Sequence, residues 1–209
     1  IHRFQSEKLT ASAQELGSQM LFESRLGFSG TPSNMLPRLL GTCHFEPGSQ
    51  ARIILTLTNP KIVDVDMDVN KWSARLLLDK IAVTDEKTGR AKYNALIDTG
   101  ALITGMSNYE VVEYLLFKAN NNTGLQGLQG ATFLDPSDNK KVLVKATRRV
   151  INYHECGIPL KDRFAFYDQT HTTGMDIKHA PNARALLTLG KDMMMRDYSQ
   201  GAYRMRGLE

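Results

Sequence analysis

The chain has 209 residues, 42% of them apolar, enough for one domain with a real core or a domain with an appended piece, and too many for a disordered tail. Its formal charge of +4 is unevenly placed, because residues 139–209 carry thirteen Lys/Arg against seven Asp/Glu and so could face phosphates. Two cysteines, Cys43 and Cys156, are too few for a disulfide framework, and no apolar run is long enough to span a bilayer; we expect an intracellular, cytoplasmic chain with reduced thiols.

Taken in chain order, residues 7–26 repeat apolar positions at helical spacing, and "RLGFSGTPSNMLP" then breaks the pattern with Gly, Ser, Thr and Pro. A helix feeding a short strand and a tight loop is expected there. "GTCHFEPGSQ" reads as loop, and "ARIILTLTNP" as an apolar segment stopped by Pro60. "NKWSARLLLDKIAV" reads as a helix with Trp72, Leu76, Leu77 and Ile81 on one face. "YNALID" is a strand buried on both sides, ended by a turn at Gly100. The following "SNYEVVEYLLFKA" is a helix whose Ser107 and Glu110 have capping-box spacing.

"NNNTGLQGLQG" reads as a flexible loop and "GATFLD" as a strand. "NKKVLVKATRRVINY" is a basic strand or short helix, "RFAFYD" and "ARALLTL" are further strands, and "KDMMMRDYSQGAYRMR" is a closing helix. Short apolar strands alternating with helices predict an α/β fold with a mainly parallel sheet flanked by helices.

Four readings compete for this chain. "LIDTGA" at residues 96–101 matches the retropepsin signature, which would make Asp98 a catalytic carboxylate, and "TLGKDMM" resembles the segment that braces such a site. An aspartic protease, however, needs a second Asp from a partner lobe and an all-β frame. Here Asp-Thr-Gly runs into a capped helix, so we disfavour it. In the structural reading, Asp98 and Thr99 end a strand and Gly100 allows the turn.

The tail is more specific. "FYDQTHTTGMDIKHAPNARALLTL" followed by "YSQGAYRMRG", together with "FSGTP" near the start, resembles in chain order motifs III, V and VI of superfamily two helicases and translocases. The resemblance implies a RecA-like fold, with residues 1–47 the end of a first lobe and residues 48–209 the second lobe. It implies that Arg204 and Arg206 neutralise charge on a transferred phosphoryl group, with Gln200 and Asp176 positioning them. Ser29 and Thr31 would link the lobes, and Thr172, Thr173 and Gly174 would face a polymer such as nucleic acid, or a protein partner. The chain has no Gly-rich Gly-Lys-Ser/Thr loop and no paired-acid box, so ATP and Mg²⁺ would be shared with an upstream RecA-like lobe. Ala202 and Tyr203 stand where many helicases carry Arg and Gly, which weakens the case for translocation and makes an inactive scaffold lobe in a large assembly an alternative.

From Arg25 onward, "RLGFSGTPSNMLP", "ALIDTGALITGMSN", "CGIPLKDRFAFYDQTHTTGMDIKHAPNA" and "TLGKDMMMRDYSQGAYRMRG" resemble a family of very large eukaryotic proteins commonly labelled ubiquitinyl hydrolases. That label implies a thiol protease acting on ubiquitin, with Cys156 as nucleophile and His171 as base, and with His154 and His179 in the same segment. A catalytic thiol needs an imidazole within hydrogen-bond reach and an electropositive setting, which Lys161 and Arg163 could supply. Lone cysteines more often pack, and His-x-Cys with distant histidines matches no zinc spacing.

Overall fold

The computed structural model describes residues 48–66, 73–172 and 175–205. Ser29, Thr31, Cys43, Trp72, Thr173, Gly174 and Arg206 lie outside the described residues. The described residues form two compact units, one of 48–66 and 195–200, the other of 73–172, 175–194 and 201–205.

In the first unit, helix α1 (Ser49–Leu57) buries Ile53 and Leu57, four residues apart on one face, and leaves Ile54 and Leu55 exposed. Its end is closed chemically. The Thr58 hydroxyl donates to the Ile54 carbonyl at 2.7 Å and the Tyr198 hydroxyl to the Leu57 carbonyl at 2.9 Å, satisfying acceptors that a helix terminus otherwise leaves open.

The second unit begins with α2 (Ala74–Ile81), capped by Ser73, whose Oγ accepts from the Leu76 N–H at 3.3 Å. The sequence places Leu76 on the buried face, and the structure corrects this. Leu78 and Ile81 are fully buried with Leu77 beside them, whereas Leu76 is 57% exposed. Leu76 is five residues from Ile81, about 140° around the helix.

The sheet has six strands: β1 (Ala95–Ile97), β2 (Gly130–Leu134), β3 (Lys140–Val144), β4 (Val150–Asn152), β5 (Arg163–Tyr167) and β6 (Ala185–Leu187). Their spatial order is β4-β3-β2-β5-β1-β6. β1 pairs in parallel with β5 and β6, and β2 with β5, while β2–β3 and β3–β4 are antiparallel. The fold is therefore α/β with a mixed, mostly parallel sheet. The basic segment 139–153, read as a strand or short helix, is the β3–β4 hairpin.

Side-chain alternation sorts the sheet's two faces. Leu96, Ala131, Phe133, Phe164 and Phe166 join the core under α2 and α3 (Asn108–Glu113), while Ala95, Ile97, Ala165 and Tyr167 face the opposite side with Ile177. Ala95 stands in register between Ala165 and Ala185, so the second face has a row of small residues where backbone can lie close.

α3 carries the expected capping box: the Ser107 N–H donates to Glu110 Oε2 at 2.7 Å, and Ser107 Oγ accepts from the Glu110 N–H at 3.3 Å. The helix widens into a π turn over Tyr114–Lys118. Asp79 of α2 accepts from the Tyr114 hydroxyl at 3.0 Å and the Asn120 N–H at 2.9 Å, tying the two helices together. Asn120, Asn121 and Asn122 then all adopt left-handed backbone, and Gly124 (φ 59°) folds under the helix end. The segment expected to be a flexible loop is thus anchored, with Leu125 and Leu128 buried and the Leu125 N–H donating to Leu115 O at 2.8 Å.

A Cβ on Gly124 would collide with the Leu116 carbonyl while holding a backbone that L residues disfavour. Gly124→Ala should cost about 2 kcal/mol or more, read as a lower urea midpoint with unchanged m-value; an unchanged midpoint would mean that the turn relaxes without cost.

Candidate functional site at the carboxyl ends of the parallel strands

In an open α/β sheet, ligands bind outside the carboxyl ends of the parallel strands. Here three of those strands run into an aspartate, Asp98 after β1, Asp135 after β2 and Asp168 after β5, and the fourth runs into Thr188. The four residues are held in different ways.

Asp98 is 2% exposed. Its Oδ1 accepts from the Thr188 hydroxyl at 2.6 Å and the Leu102 N–H at 2.9 Å, and its Oδ2 from the Ile103 N–H at 3.0 Å. Thr188 Oγ1 in turn accepts from the Gly100 N–H at 3.0 Å. The two loops cross so closely that a Cβ on Gly100 would lie 2.6 Å from Gly190 N. The "DTG" and "TLG" stretches do meet, as loop ties between neighbouring parallel strands. A carboxylate enclosed by these donors organises a turn.

Asp135 lies in an open turn, accepting from the Ser137 and Asn139 N–H groups, each at 2.9 Å. The Asn139 N–H is the main cause of its lowered pKa.

Asp168 faces His171. The imidazole Nδ1 lies 2.7 Å and 2.8 Å from the two Asp168 oxygens, and Nε2 lies 2.8 Å from Asp138 Oδ1 in the β2–β3 turn. Asn108 Nδ2 donates to Asp168 Oδ2 and, at 3.0 Å, to the Leu134 carbonyl, joining the start of α3 to the ends of β2 and β5. Burial alone would lower the His171 pKa, but hydrogen bonds to Asp138 and Asp168 and their charges raise it overall. Burial likewise pushes Asp168 up, and the hydrogen bonds from Thr170, Asn108 and His171 outweigh it, so its pKa falls.

Both ring nitrogens of His171 are therefore engaged by carboxylates. Cys156 lies in the loop after β4, separated from β5 by β3 and β2 in the sheet order, and no hydrogen bond among the described residues joins it to a histidine. The structure does not bring Cys156 and His171 together. His154 is exposed, edge-on to Tyr153. Among the described residues, no group of three or more His, Cys, Asp or Glu is placed to hold a metal ion, and no helix is long and apolar enough to cross a membrane.

Of the residues expected to meet nucleotide or polymer, Thr172 is 7% exposed and its hydroxyl donates to the Gln169 carbonyl at 2.9 Å, closing its own turn. Gln200 lies on α4 (Met195–Ala202), and Arg204 follows in the short turn after it. The Arg204 Nη1 donates to the Met175 carbonyl, beside Asp176. Asp176 also acts on His179, whose pKa burial depresses to about 4 while the Asp176 charge opposes the shift. His179 Nε2 lies 3.1 Å from the Tyr167 hydroxyl, which also accepts from the Ile177 N–H at 3.0 Å.

Sequence reasoning missed Thr188, Asn108, Asp138 and Asp168. Its one usable signal was the repeated apolar-apolar-Asp ending of "ALID", "TFLD" and "AFYD".

Two outcomes follow. Asp98→Ala would leave two partly buried N–H groups and the buried Thr188 hydroxyl without their acceptor, and should cost about 3 kcal/mol in urea unfolding; a loss below about 1 kcal/mol would show that water replaces the carboxylate. His179, held neutral, contributes stability that is fully present above its unfolded pKa of 6.5 and is lost as pH falls toward 4. His179→Gln should therefore flatten the fall in urea midpoint between pH 6.5 and 4; a profile superposing on the wild type would count against this.

No protein-family model, curated protein or solved structure matches this chain, so the site's chemistry is read from its geometry.

Proposed function

We propose that this chain is the second RecA-like lobe of a helicase-like nucleoside triphosphatase, carried in a very large intracellular protein of the ubiquitinyl-hydrolase-labelled family. Arg204 is the charge-neutralising arginine of a nucleotide site completed by an upstream lobe. The observation that carries this reading is the bond from Arg204 Nη1 to the Met175 carbonyl, next to Asp176. It fastens the arginine to the Thr-Thr-Gly-Met-Asp loop, the pairing that the helicase resemblance implies. A guanidinium held in place before the nucleotide arrives needs no reorganisation as charge develops on the phosphoryl group.

The residues fit a shared site better than a self-contained one. The Asp98 carboxylate is occupied by backbone N–H groups and Thr188, and that of Asp168 by His171, Thr170 and Asn108. Mg²⁺ therefore belongs with acids of the upstream lobe, and ATP with its phosphate loop. Arg204 and Arg206 would add positive charge from this side, with Gln200 supporting them, and nucleic acid or a ubiquitin-bearing protein would be the polymer partner.

The test is ATP turnover by the full-length polypeptide, upstream lobe included, as wild type and as Arg204→Ala. Loss of the arginine should lower kcat about a hundredfold or more, with a smaller change in KM. Equal turnover in both, or none in either, would overturn the proposal and favour an inactive scaffold lobe.

A further inference from the structure

The β3–β4 hairpin takes no part in the arginine site. Among the described residues, β4 ends the sheet on the side opposite β6 and pairs only with β3. The Val144 N–H donates to the Arg149 carbonyl at 2.9 Å, which makes these two a hydrogen-bonded pair. Alternation along an antiparallel ladder makes Val142 and Ile151 the next such pair. The N–H and C=O groups of Val150 and Asn152 consequently point away from β3, and both residues are exposed, Val150 by 43%. Such an edge is a template for another strand.

The charges around this edge are mostly positive, with two carboxylates among them: Glu155, which accepts from Asn152 Nδ2 at 2.9 Å, and Asp135, 3.8 Å from Lys141 Nζ. Lys140, Lys141, Lys145, Arg148 and Arg149 lie within residues 139–152, which contain no Asp or Glu. Most of them are tethered: Lys141 Nζ donates to Asn152 Oδ1 at 2.7 Å, Lys145 Nζ to the Leu125 carbonyl at 2.8 Å, and the Arg148 guanidinium sits 4.3 Å from the centre of the Phe117 ring. Arg148 also occupies a left-handed turn position (φ 54°) that glycine would fill with less strain. Held along the hairpin, these cations set a positive field at the edge more than they offer a row of free ammonium groups to phosphates. A second copy of the same edge would meet like charge and be repelled.

We propose that the outer edge of β4 binds an extended, acidic polypeptide segment of a partner protein, which adds to the sheet as a further strand. Backbone bonds to Val150 and Asn152 supply the pairing, and the hairpin cations select acidic side chains. This inference is independent of the nucleotide reading.

Fluorescence anisotropy on the whole chain tests it, with a short labelled peptide of alternating glutamate and valine as probe. The peptide should bind, and raising salt to about 0.5 M should weaken binding. Arg149→Glu, at an exposed position, should weaken it about tenfold or more. Methylating every second peptide nitrogen, which removes the ladder donors without touching the protein, should abolish binding. The alternating lysine–valine peptide should not bind. Failure of the glutamate peptide, equal binding of its methylated form, or tighter binding by a single-stranded oligonucleotide of equal charge would each overturn the proposal, the last reassigning the surface to nucleic acid.

Discussion

The Asp98 carboxylate, buried at the end of the sheet's inner strand β1, is the contact on which the candidate site depends. β1 lies between β5 and β6, and its loop must turn sharply towards α3 beside the loop that leaves β6. Two backbone N–H groups of the β1 loop and the hydroxyl of Thr188 converge on this one side chain. A buried polar group is tolerated only when its hydrogen-bonding sites are filled, so the requirement to satisfy Asp98 fixes both loops at once. The close crossing of Gly100 and Gly190 follows, since either Cβ would push the loops apart.

The other strand-end aspartates show how surroundings decide the work of a single residue type. Asp135 has solvent and its own turn's N–H groups, and it shapes a hairpin. Asp168 has an imidazole within reach and becomes half of an ion pair that Asp138 extends from a second turn. Only Asp98 has a neighbouring parallel strand bringing a hydroxyl to it. The difference arises from sheet order, which places β6 beside β1 and the β2–β3 turn within reach of the β5 loop.

That dependence on order explains what the sequence could and could not disclose. Strands such as "ALID" and "RFAFY" were legible because burial on both faces leaves a continuous apolar run, and the Ser107–Glu110 box because capping is local. The hairpin within 139–153 was ambiguous, since a short apolar run flanked by basic residues suits a strand or a short helix until β2 is known to lie alongside. The buried face of α2 was misjudged because Leu76, Leu77 and Leu78 are consecutive and only the site of α3 chooses among them. Thr188 and Asn108 were illegible for a stronger reason: each acts on a residue 60 or more positions away along the chain, and no local pattern records such a partner. Thr172 misled in the opposite sense, since a Thr-rich loop suggests outward hydroxyls and this one closes its own turn.

Two histidines on the segment after β5 are tuned in opposite directions by the same elementary terms. His171 is held charged by the carboxylates on either side of it, so its contribution is complete below pH 6.5 and fades as pH rises through its raised pKa. His179 is held neutral by burial against Tyr167, so its contribution is complete above pH 6.5 and fades on the way down to about 4. The two contributions overlap most fully just above pH 6.5, below the raised pKa of His171. Acid weakens the anchoring of the 175–180 segment, where Arg204 is fastened, while leaving the His171 link between the β5 loop and the β2–β3 turn intact. Alkali does the reverse. The loop that carries the arginine anchor and the turn that carries Asp138 are thus stabilised by separate titrations.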